Sequence, residues 1–127
     1  MYISVLKLAV VDVDRAVDFY VKKLGWEKTM DVDMGDGSRW VTVAPSGEKT
    51  SFTLTKEGES ALPAASSPGV ILEVDDVFSA QDKLSKAGVE FTDDARNEPW
   101  GGWAMFKDSE GNVIGLHSPV PAAVSAN

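Results

Sequence analysis

Apolar positions along the chain follow two alternating periods, and the order in which they alternate predicts the elements. An apolar strand over Ile3–Val11 is followed by a helix whose apolar residues Val17, Tyr20, Val21 and Leu24 recur at i, i+3, i+4 and i+7. Asp12 or Asp14 caps its start and Gly25 ends it. Three strand-like stretches follow, Glu27–Met34, Arg39–Ala44 and Thr50–Lys56. They are separated by Gly35-Asp36-Gly37 and Pro45-Ser46-Gly47, residues that tight turns require. The order then starts again. A strand over Val70–Val74 leads into a helix capped by Asp75 or Asp76, striped by Val77, Ala80, Leu84 and Ala87, and ended by Gly88. Val89–Asp93, Trp103–Lys107 and Asn112–Ser118 read as its three strands, with Ser109-Glu110-Gly111-Asn112 as a turn.

The two halves are related in sequence. At a shift of 63 positions Val11 matches Val74, Asp12 Asp75, Lys23 Lys86, Gly25 Gly88, Glu27 Glu90, Thr29 Thr92 and Trp40 Trp103. Gly47 matches Gly111 with a one-residue slip. Two long similar halves imply a duplicated supersecondary unit rather than a solenoid of many short repeats. The expected organisation is one α+β domain over 1–127, with module one at about 1–56 and module two at about 69–118. A linker rich in Ser, Ala, Pro and Glu joins them over about 57–68, and a loose tail covers 119–127.

Composition narrows the function classes. With 127 residues and no cysteine, the chain needs neither disulfides nor a Cys-ligated metal to build a core, and it has no thiolate nucleophile. A net charge of −8 argues against binding nucleic acid through its phosphates. No apolar run approaches the ~20 residues of a membrane span, and no signal peptide or anchor is legible, so a cytoplasmic protein without membrane or nucleic-acid partners is expected. Asp31-Val32-Asp33-Met34-Gly35-Asp36-Gly37 starts like a calcium loop. The fifth, sixth and twelfth positions are nevertheless Gly35, Asp36 and Thr42, and the segment reads as a hairpin.

The phrases VDVDRAVDFYVKKLGW and FKDSEGNVIGL, in a duplicated βαβββ chain, resemble the vicinal oxygen chelate superfamily of glyoxalase I, bleomycin resistance proteins and extradiol dioxygenases. The resemblance spans Ile3 to His117. It implies two tandem βαβββ modules with curved mixed sheets enclosing a cleft, and a homodimer. Metal-dependent relatives carry up to four His, Glu or Gln ligands there. The matching positions in this chain are Val5, Thr53, Gly69 and Gly115, none of which is a usual ligand for a transition metal. No metal and no cofactor are therefore expected.

The remaining candidates for chemistry are few. His117 is the single histidine, and it shares a strand face with Gly115, while Glu73 lies four residues past Gly69. Together they are the candidates for a catalytic pair, with His117 as general base. Asn97–Trp103 reads as irregular backbone with two large rings beside Gly101 and Gly102. Trp100 and Trp103, together with Trp40, either line a cleft for a ligand or fill the space between the two modules. Thr53, Arg39, Lys7, Glu73 and His117 are the polar candidates for the same ligand. Two functions stay open: a metal-independent binder of a small organic molecule, as in the bleomycin resistance branch, or a lyase, isomerase or dioxygenase-like enzyme with an absent or non-standard metal site.

Overall fold

The computed structural model describes residues 1–58, 65 and 69–120. Most of the linker and residues 121–127 of the expected tail lie outside them. Strand β1 (Val5–Val10) is followed by α1 (Val13–Asp18), which continues as a π-helical segment over Phe19–Lys23; β2 (Glu27–Asp33), β3 (Arg39–Ala44) and β4 (Ser51–Lys56) come next. The second series is β5 (Ile71–Glu73), α2 (Val77–Lys86), β6 (Glu90–Glu98), β7 (Gly101–Lys107) and β8 (Val113–Ser118). Each series makes one four-stranded mixed sheet, in the orders β1-β4-β3-β2 and β5-β8-β7-β6. In both, the first strand pairs parallel with the last and the remaining pairs are antiparallel. The chain is thus an α+β protein of two tandem βαβββ modules.

The helix signals act as their chemistry requires. Asp12 caps α1 by accepting from the Arg15 N–H, and Asp76 caps α2 by accepting from the Phe78 N–H. Gly25 and Gly88 end the two helical segments at φ +77° and +94°. The apolar stripe of the first helix departs from the expected one. Ala16, Phe19 and Tyr20 are buried, whereas Val17, Val21 and Leu24 are half-buried. The π-turn over Phe19–Lys23 widens the helix by one residue and rotates Val21 and Leu24 away from where a 3.6-residue period places them, whereas Val17 lies ahead of it.

The chain divides into two compact units, Met1–Pro68 with Asp108–Asn112, and Gly69–Lys107 with Val113–Asn127. In the first, Tyr20 has no exposed surface and packs edge-on against Phe19 and Phe52, with Trp26 tilted against Tyr20 and Phe52. Leu8, Val10, Val41, Val43 and Leu54 are also fully buried. Burial of such side chains stabilises by roughly 1.5–3 kcal/mol each. The turn Asp108–Asn112 belongs to this unit although it joins β7 to β8. The buried Glu110 carboxylate accepts from the backbone N–H groups of Val11 and Asp12 and from Arg15 Nε at 2.7 Å. Asp108 accepts from the Tyr20 hydroxyl at 2.8 Å and from Asn112 Nδ2, which also donates to the Ala9 carbonyl. Burial, then the Asp108 charge, pushes the Tyr20 hydroxyl pKa far up, so it stays a donor. In the second unit Val77, Val89, Ala104, Phe106, Ile114 and Leu116 are the buried apolar residues.

One expected loop is a strand pair. Asn97–Trp103 is not irregular backbone: β6 runs to Glu98, β7 starts at Gly101, and Glu98 pairs with Gly101 across a turn made by Pro99 and Trp100. The two glycines after Trp100 suggested a loop. They serve instead as pairing residues where side chains have no room, since a β-carbon on Gly102 would lie 2.2 Å from Ser118 Oγ and 2.7 Å from Val77 Cγ2.

Candidate functional site

Alternation along β8 buries Ile114, Leu116 and Ser118 on one side and sets Val113, Gly115 and His117 on the other. Register then gathers three strands about His117. Trp103 of β7 is its antiparallel partner and Glu73 of β5 its parallel partner. His117 Nδ1 lies 2.7 Å from Glu73 Oε1, and its Nε2 lies 2.8 Å from the Trp100 carbonyl oxygen. The Trp100 ring stacks beside the imidazole at 18° with centroids 6.2 Å apart, and it meets Trp103 edge-on at 5.3 Å. Half of the Trp100 surface is exposed, at 51%. The result is one face carrying two indoles, an imidazole and a carboxylate.

Two glycines make this face. A β-carbon at Gly115 would lie 2.6 Å from Trp103 Cη2, so the indole lies over the glycine. At Gly101, φ is +127°, and a β-carbon would lie 2.3 Å from the Ser118 carbonyl oxygen and 2.6 Å from His117 Nε2. No residue other than glycine brings the Trp100 carbonyl this close to the ring.

The site candidates separate into two groups. Trp100, Trp103, Glu73 and His117 meet in the second unit. Trp40, Thr53 and Lys7 share one face of the first unit's sheet, because Lys7 and Thr53 are register partners and alternation with Thr42 aligns Trp40 with Thr53. Arg39 falls on the opposite face from Trp40 and is held by Asp31 and Asp14. Hydrogen bonds from Arg39, then Lys28, keep the Asp31 carboxyl down at about 2. Sequence reasoning missed Glu110, Asp108 and Asn112 as buried anchors. The spacing Asp108-x-x-Gly111-Asn112 marked the turn but carried no sign of its distant partners.

The four positions matching the superfamily's metal ligands do not fit a metal. Val5 and Gly69 have no donor side chain, Thr53 offers a neutral hydroxyl and is 1% exposed, and the space a side chain at 115 would take is filled by Trp103. Among the described residues, no three of His, Cys, Asp and Glu come together as a metal set. No helix among them is long and apolar enough to cross a membrane.

Two sheets of order first-last-third-second, each with one helix after its first strand, define a duplicated βαβββ protein whose second sheet carries an aromatic, histidine-bearing face. The family model described as "Glyoxalase/Bleomycin resistance protein/Dioxygenase superfamily" matches residues 2–116, and the chain belongs to that superfamily. The crystal structure of TnmS3, an antibiotic binding protein from Streptomyces sp. CB03234, is 38% identical and superposes with a TM-score of 0.84, covering 94% of this chain and 96% of that one. A superfamily member from Sphaerobacter thermophilus DSM 20745 is 31% identical with a TM-score of 0.86, covering 93% of this chain and 97% of its own. The Bacillus subtilis protein YurT is 30% identical over 123 residues, 90% of this chain and 96% of its own length.

Proposed function

We propose that the chain is a metal-independent, cytoplasmic small-molecule-binding protein that sequesters an organic ligand with a flat or partly apolar body, an antibiotic being the foremost class. The observation that carries this reading is the face of Trp100, Trp103, His117 and Glu73, where two indoles stand beside a hydrogen-bonding pair. The 38% identity to a protein described as antibiotic binding supports it. Burying about 200 Å² of apolar ligand surface contributes about 5 kcal/mol, and two aromatic contacts add roughly 1–3 kcal/mol, before the cost of association. The free oxygen of Glu73 supplies the polar contact that raises such weak binding. A general base needs a free imidazole lone pair, and both nitrogens of His117 face acceptors, which favours the binder over the enzyme.

The test is titration of a panel of polycyclic antibiotics and aromatic metabolites, followed by tryptophan fluorescence in the presence of a chelator. At least one compound is expected to bind, with Trp100→Ala and Trp103→Ala each weakening it by about tenfold or more. A ligand whose affinity ignores both substitutions, or needs added metal, overturns the proposal.

The proposal includes a homodimer. Met30, Val32 and Met34 are 48%, 42% and 57% exposed on or just after the edge strand β2, an apolar row that a partner chain would cover. Sedimentation at micromolar concentration should give twice the 13.6 kDa chain mass, with an interface above about 1,000 Å². A 13.6 kDa species would refute the dimer.

A further inference from the structure

We propose that His117 is a positioning residue that, as an imidazolium, clamps the Pro99–Trp100 hairpin tip onto the sheet and holds the Trp100 ring on the aromatic face. The consequence for a ligand rests on the binding reading above; the clamp itself does not. The count of donors and acceptors around the ring requires the imidazolium. A neutral imidazole has one N–H and one lone pair, whereas an imidazolium has two N–H donors. Both partners of His117 are acceptors at these distances, a carboxylate oxygen at Nδ1 and a backbone carbonyl oxygen at Nε2. Only the doubly protonated ring satisfies both. When one proton leaves, the carboxylate is the stronger acceptor and keeps the Nδ1–H, so the lone pair at Nε2 faces the Trp100 carbonyl oxygen and the bond that holds the turn is the one lost.

Register and shape hold the ring in that position. β5 and β8 align Glu73 with His117, and the bare backbone of Gly101 lets the turn carbonyl reach Nε2. The Trp100 ring lies beside the imidazole, 18° from parallel with centroids 6.2 Å apart. Glu73 is the ionisable side chain bonded to His117. On β6, Arg96 is paired with Glu98 and Asp93; on β7, Lys107 is paired with Glu90 at the far end, and the neighbours of His117 there are Gly101 and Trp103. After β5, Asp76 is engaged in capping α2, beside Asp75.

The bond to the Trp100 carbonyl, then that to Glu73, raises the His117 pKa above its ordinary value of about 6.5. The clamp is therefore complete at pH below the ordinary value and is lost as pH rises through the raised one. The Glu73–His117 pair is neutral when clamped and carries one negative charge when released. Apparent affinity for any ligand seated on Trp100 falls with the clamped fraction.

A single histidine makes the test direct, because nitrogen NMR of the labelled protein reads one imidazole. In ligand-free protein at about pH 6 both ring nitrogens should be protonated, with a midpoint above about 6.5. Tryptophan fluorescence should step at the same midpoint. Glu73→Gln should lower the NMR midpoint, and His117→Ala should remove the fluorescence step. Trp100→Phe should remove that step while leaving the NMR midpoint in place, since the carbonyl remains. With the neutral aromatic dye Nile red as probe, the dissociation constant should rise at least about threefold across the midpoint in the wild type and stay flat in His117→Ala. A neutral ring at about pH 6, or the same fluorescence step in His117→Ala, overturns the clamp. If the NMR and fluorescence steps occur but Nile red and the antibiotic panel fail to bind at any pH, the clamp stands and the binding reading falls.

Discussion

Replacing Glu110 by alanine is expected to cost about 3–5 kcal/mol of folding stability, a large share of what a domain of this size has. Its carboxylate is buried and accepts from four groups: the N–H groups of Val11 and Asp12, the Arg15 guanidinium and the Ser109 hydroxyl. Removing it strands the two backbone donors between β1 and α1 and unpairs an arginine. Glutamine fills the same space but loses the charge and offers an NH2 group where two donors now point, so Glu110→Gln should fall between alanine and wild type. The pH dependence follows from the same bonds. Burial raises the Glu110 carboxyl pKa, but hydrogen bonds from Arg15, Asp12, Ser109 and Val11 outweigh it and hold the group at about 2. A lowered folded-state pKa contributes stability that is present above the ordinary carboxylate range. That stability is lost as pH falls from about 4.5 toward about 2. Urea unfolding of wild type and both variants at neutral pH and across this acid range checks the claim. Equal acid sensitivity in wild type and Glu110→Gln would show that other carboxylates control it.

Gly101→Ala should cost about 3 kcal/mol or prevent the hairpin from forming. Two effects add. A backbone φ of +127° is strained for any residue with a β-carbon, by roughly 1–3 kcal/mol. That β-carbon would also sit 2.3 Å from the Ser118 carbonyl oxygen, which belongs to the sheet and does not rotate away. Gly37→Ala separates the two effects, because Gly37 has φ +90° and open space around a β-carbon. Its cost should be strain alone, about 1 kcal/mol. In Gly101→Ala the turn must also shift away from His117, so the imidazole NMR signals should move while those of Gly37→Ala stay as in wild type. Equal unfolding midpoints for the two alanine variants would mean that the close approach at Gly101 is relieved without cost.

Much of the architecture is legible in the sequence for reasons that are local. Caps, helix-ending glycines and turn residues act over three or four positions: Gly25 and Gly88 end the helices as expected, and of the two candidate caps at each start Asp12 and Asp76 are the ones that accept. Duplication does the rest, since two halves with the same order of periods imply two copies of the same sheet. The site is less legible. Sequence distance separates Glu73 from His117 by 44 positions, and only the parallel pairing of β5 with β8 brings them to 2.7 Å. Trp100 and Trp103 stood out by residue type, but their edge-on contact depends on a two-residue turn that the glycine-rich spelling disguised as a loop.

Sequence alone therefore determined the βαβββ order and its repetition, and the glycines at which the helices end. These rest on residue identity and on near neighbours along the chain. Tertiary structure alone decided that Arg39 is committed to Asp31 and Asp14, and that Glu110 and Asp108 are buried anchors of the first unit. It also decided that His117 has an acceptor at each ring nitrogen. The physical reason is common to all of these: a hydrogen bond is set by distance and direction in space, and strand register and the dihedral angles of single turn residues fix both.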